Sequence, residues 1–132
     1  MCDSIVAAIT SHRDLVVWQK SMDLVERVYR LTATLPCEET YRLISQTTRA
    51  ATSVPANIAE GFARASPREY ARFLAVAKGS LMETETLLVI AARLGYLKAG
   101  VSEPTLALIA EISKMLTVLR TRILQSRRTA QS

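Results

Sequence analysis

The chain has 132 residues, 49% of them apolar, and a net charge of +5, enough for one folded domain and too apolar for a disordered one. Four glycines and four prolines are too few to punctuate many short strands, which points to a few long helices. No apolar stretch approaches the ~20 residues of a membrane span. The run Ile5–Ile9 is short and follows the acid Asp3, so no secretory signal is read.

In chain order, residues 1–13 read as a flexible N-terminal segment. A first helix is expected from about Asp14, a good N-cap, to Leu35, with Trp18, Met22, Val25 and Tyr29 as its apolar stripe and Pro36 as its stop. The second starts near Glu38. Its stripe is Leu43, Thr47, Ala50, Val54 and Ile58, light and rich in small residues, and Gly61 is the expected C-terminal glycine. Pro55 lies inside this helix, where it deprives the carbonyl of Ala51 of its donor and should cause a kink. Asn57 is placed to satisfy polar groups at that break.

The third helix opens with Ser66-Pro67-Arg68-Glu69, which combines a serine cap, a proline at the first position and a capping-box glutamate. Tyr70, Phe73, Leu74, Ala77, Leu81 and Leu88 share its core face down to Gly95. Arg68, Arg72, Ala75 and Gly79 lie opposite, and Val76, Leu87, Ile90 and Leu94 widen its apolar surface. That width suits a helix packed on two sides, with a second subunit on one of them. The fourth helix starts around Ser102-Glu103-Pro104 and carries Leu106, Ile109, Ile112, Leu116, Leu119 and Ile123. The expectation is an all-α, antiparallel up-down-up-down four-helix bundle over residues 14–126, with a disordered tail at 127–132.

Catalytic and metal chemistry find little support. The one histidine, His12, lies outside the expected bundle, and Glu60, Glu83 and Glu85 have no histidine at the spacing of a carboxylate-bridged metal site. Cys37 has no base to activate it, and Cys2 and Cys37 make neither a metal spacing nor a disulfide framework. They read as reduced thiols in a cytoplasm. Glycines 61, 79, 95 and 100 stand alone, so no phosphate loop is present. No enzyme activity, metal or cofactor is expected.

Charge is the remaining signal. Residues 42–78 carry six basic side chains against two acidic ones, and residues 120–132 carry four against none. The candidate nucleic-acid contacts are Arg42, Arg49, Arg64, Arg68 and Arg72, because a guanidinium fork suits phosphate. Glu60 with Arg64 and Glu69 with Arg72 have the spacing of intrahelical pairs that would compete. No aromatic residue is read as interleaving with these arginines, so base stacking is not expected.

Several strings carry a resemblance. They are His12-Arg13-Asp14-Leu15 with Trp18, then Tyr41, Leu43, Gln46, Arg49 and Ala50, then Ser53-Val-Pro-Ala-Asn-Ile-Ala-Glu-Gly61 with Arg64. Phe73-Leu-Ala-Val-Ala-Lys-Gly-Ser-Leu81 with Glu83, and Leu94-Gly-Tyr-Leu97, complete them. Together they resemble the bacterial four helix bundle family, the 23S ribosomal RNA intervening-sequence proteins, and are similar to accessory variability proteins of diversity-generating retroelements. The resemblance implies a homopentamer around a central channel. In the retroelement relatives that barrel is basic and works with a reverse transcriptase and nucleic acid. The functional expectation is a non-enzymatic oligomer associating with RNA or DNA. The alternative is a scaffold for a protein partner, with the basic charge incidental.

Overall fold

The structure, a computed structural model, describes residues 9–131, with side chains as far as Ser126. Four α-helices make up the described chain, which contains no strand: α1 Val16–Thr32, α2 Ser45–Phe62, α3 Pro67–Arg93 and α4 Glu103–Gln131. Contacts run α1–α2, α2–α3, α3–α4 and α4–α1, with α2–α3 the most extensive, so the helices form a four-membered ring of neighbours. Paired residues run in opposite directions, Ser53 with Ser80 and Gly61 with Phe73 between α2 and α3, and Ala71 with Arg120 and Lys78 with Thr117 between α3 and α4, so these neighbours are antiparallel. Leu24, Val28, Val54, Ile58, Leu74, Leu81, Leu88, Ile109, Ile112 and Leu116 fill the core.

The first helix has the expected period but a different phase. Its buried face is Val17, Ser21, Leu24, Val28 and Thr32, while Met22 and Tyr29 are 41% and 52% exposed. Ser21 and Thr32 belong inside because their hydroxyls donate to carbonyls of the same helix, those of Trp18 (2.7 Å) and Val28 (2.9 Å). Counting only large apolar residues shifts the stripe by one position. Asp14 is also not the cap of α1. It closes a preceding 3-10 turn, His12–Asp14, by accepting from the N–H groups of Thr10 and Ser11, both at 3.1 Å. The flexible segment expected at 1–13 lies outside the described residues as far as Ala8.

The second helix is entered through a 3-10 turn, Cys37–Glu39, and a π-helical turn, Thr40–Ile44. Its expected stripe is buried in full, and Ala51 and Pro55 join it. The chain remains helical through Pro55. Asn57 does not reach the Ala51 carbonyl; its amide donates to the Ser53 carbonyl (2.8 Å) and hydroxyl (2.9 Å), and Ser53 meets the Ser80 hydroxyl of α3 at 2.8 Å. Gly61 is not a C-terminal glycine either. The helix continues to Phe62, and Gly61 is buried where a Cβ would lie 2.8 Å from the Cβ of Phe73. Its role is to let α2 and α3 touch.

Helix α3 starts as expected, with the Ser66 hydroxyl accepting from the Glu69 N–H at 3.4 Å and proline in the first turn. The reciprocal half of the capping box is replaced, because the Glu69 carboxylate pairs with Arg72 instead. At its end Tyr96 N–H donates to Ala91 O and Gly95 N–H to Ala92 O, with Gly95 at φ +83°, a Schellman motif. Leu87 is buried and belongs to the core, whereas Val76, Ile90 and Leu94 are exposed as expected. Helix α4 continues to Gln131, so the backbone of the expected tail is helical that far, and its side chains from Arg127 on lie outside the described residues.

Candidate functional site

The five arginines do not form one patch. Arg42 sits on the π-helical turn, paired with Glu39 at 3.3 Å, beside Tyr96, whose hydroxyl donates to the same carboxylate at 3.1 Å. That hydrogen bond, with the adjacent negative charge, holds the Tyr96 phenol above its ordinary pKa. Arg42 is therefore at the α3–α4 end of the bundle, roughly 30 Å along the helix axis from Arg64. Arg49 lies between the ends, next to Gln46, Ser53, Ser80 and Glu83, and makes no ion pair among the described residues.

Arg64, Arg68 and Arg72 come together at the other end, where α2 turns into α3. Arg64 pairs with Glu60 at 2.8 Å and Arg72 with Glu69 at 3.0 Å, both as intrahelical pairs read from the spacing. Such exposed pairs contribute only a few tenths of a kcal/mol each, about 0.3–0.5, so they leave the guanidiniums free to exchange partners. Arg68 makes no ion pair among the described residues. An aromatic ring does interleave here, contrary to expectation. The guanidiniums of Arg64 and Arg72 lie 4.9 and 4.8 Å from the centroid of half-buried Phe73. Phe73 directly follows Arg72 in the chain, and Arg64 reaches the same ring from across the turn. Behind it, Tyr70 meets Phe62 edge-on at 6.1 Å, and burial pushes its phenol pKa up.

The structure adds a residue that the sequence reading missed. Arg120 of α4 donates from Nε to the carbonyl of Ala71 on α3 at 3.2 Å, which fixes its guanidinium between the two helices. With Arg68, Glu69, Arg72 and Leu124 it lines a depression of about 650 Å³. Arg120 was counted with the C-terminal charge. Its signal was its position four residues after core Leu116, which turns it toward α3 rather than away from the bundle.

Other chemistry-bearing groups stay apart. His12 packs edge-on against Trp18 at 5.0 Å, and Cys37 is exposed. Among the described residues no three His, Cys, Asp or Glu side chains are grouped to hold a metal ion, and no helix is long and apolar enough to cross a membrane.

Fold and charge together define an all-helical bundle with an arginine-rich end. The chain belongs to the 23S rRNA-intervening sequence protein family, whose model matches residues 13–118. It is similar to a solved protein of unknown function from the S23 ribosomal protein family of Bacteroides thetaiotaomicron. The two are 28% identical with a TM-score of 0.74, over 80% of this chain and 98% of that chain. No curated protein matches it.

Proposed function

We propose that this is a non-enzymatic, oligomeric RNA-associated protein of the cytoplasm that holds phosphates with Arg64, Arg68, Arg72 and Arg120. The observation that carries this reading is the convergence of four guanidiniums at one end of the bundle against two carboxylates, Glu60 and Glu69. Both carboxylates are held by weak exposed pairs that a phosphate can displace. The protein acts as a homopentamer, a reading supported by the exposed apolar side chains of α3, and each subunit repeats the cluster around the ring. Contact is with the backbone, so affinity depends on salt more than on sequence.

Fluorescence anisotropy with labelled RNA at several salt concentrations tests it. Four neutralised phosphates give a slope of log affinity against log salt of about −3 to −4. Replacing Arg68 and Arg72 with Gln makes the slope shallower by about 1 to 2. A chain ending at Ser126 separates this from the C-terminal arginines. Wild-type protein that does not bind at ~50 mM salt, or binding lost entirely with residues 127–132, favours the second reading, a scaffold for a protein partner. The apolar surface of α3 is what supports that alternative.

A further inference from the structure

Gly79 has no local reason to be glycine. It lies in the interior of the 27-residue α3, away from either cap, and its φ is negative. Apart from its chain neighbours and its own helix backbone, no atom lies within 4 Å of where its Cβ would be, unlike Gly61. Glycine is among the poorest residues for a helix interior. What its missing side chain does is leave open a groove of about 360 Å³ between α3 and α4, floored by Leu74, Met82 and Leu116. Lys78 and Arg120 stand at the rim, and no acidic residue lines it. Both cations are held in place, Lys78 Nζ by the Thr117 hydroxyl at 2.8 Å and Arg120 Nε by the Ala71 carbonyl. Arg120 and Ala75 also line the arginine depression next door, so the two concavities adjoin.

We infer that the groove over Gly79 takes one unpaired nucleotide of a bound RNA strand. Its phosphate sits with Arg68 and Arg120, and its base lies against Leu74, Met82 and Leu116. The inference rests on the RNA reading above and names the form of RNA that the site selects. An apolar slot beside fixed cations complements a flat, weakly polar body bearing an anion. The groove is at the small end of the range for ligand sites, about 300–1,000 Å³, which suits one nucleotide and not a helix or a duplex edge. A paired base is committed to its stack and cannot enter.

The test compares a labelled oligouridylate with an RNA duplex of equal length, for wild type, Gly79→Leu and Gly79→Ala. Leucine meets no atom where its Cβ would be built and is a better helix former, so the Leu variant fills the groove without disturbing the core. The expected result is about a tenfold loss of affinity for the unpaired strand in Gly79→Leu, the scale of about 55 Å² of apolar burial lost. Duplex affinity and the salt slope stay unchanged, and Gly79→Ala stays close to wild type. Wild-type binding with equal unpaired-strand affinity in the Leu variant overturns the groove and leaves the RNA reading standing. So does equal loss on both RNAs, or a Leu variant that falls apart into smaller oligomers. An acidic peptide of equal charge that binds as well and is lost equally in Gly79→Leu overturns it too. Wild type that binds neither RNA at ~50 mM salt ends both readings.

Discussion

Asp14 accepts two backbone N–H groups at the mouth of the bundle, and this holds its carboxyl below the usual carboxylate range. A carboxylate whose pKa is depressed on folding stabilises the fold above its unfolded pKa. That contribution disappears as pH falls through the lower folded value. The turn at His12–Asp14 should therefore open in acid while the helices persist. The protection of the Thr10 and Ser11 amides against exchange, taken relative to an unfolded chain at the same pH, should fall below about pH 4 in the native chain. In Asp14→Asn that protection should be low already at neutral pH and show no such step. If the two variants have the same pH profile, Asp14 is not what closes the turn.

At the scale of the helix, the same substitution should have opposite effects at two glycines. Gly61→Ala places a methyl group 2.8 Å from the Cβ of Phe73, on a backbone that cannot move without separating α2 from α3. Overpacking of this kind costs about 1–3 kcal/mol. Gly79→Ala meets nothing and should gain about 1 kcal/mol from helix propensity. Thermal unfolding of both variants settles the signs, and a stable Gly61→Ala protein would show that the α2–α3 contact is slack. The start of α3 was legible in the sequence from Ser66 and Pro67, as was its end at Gly95. There the backbone needs a specific residue type. The role of Gly61 was not, because a close approach is a property of two helices and the glycine is written on only one. The phase of α1 was misread because Ser21 and Thr32 look polar, yet each hydroxyl is satisfied by its own helix. Of the candidate site, Arg64, Arg68 and Arg72 were legible as a run. That Arg42 belongs to the far end, and that Arg120 joins the cluster, depends on how the helices fold back.

The whole molecule presents more apolar surface than a solitary bundle needs. Ile90 and Leu94 on α3 are 40% and 59% exposed, with Val76 and Val89 along the same helix. If this surface is where subunits meet, light scattering should give about five times the 14.6 kDa chain mass, the pentamer of the family resemblance. Ile90→Glu should lower that mass while the helical circular dichroism is kept. A native chain that runs as a monomer at micromolar concentration would sink the assembly. The bridge between Ser53 and Ser80 matters at this scale as well. Beside it Ala50 is a small side chain, so the two hydroxyls are the polar contact between α2 and α3 at this height. One helical turn of slip, about 5.4 Å, would carry a residue with a side chain to the place that Gly61 holds against Phe73. Slip would also pull apart a pair of hydroxyls that are half withdrawn from water, and that loss falls on one register only. Those two serines set the zero of a ruler, and the height of every arginine at the bundle's end is measured from it.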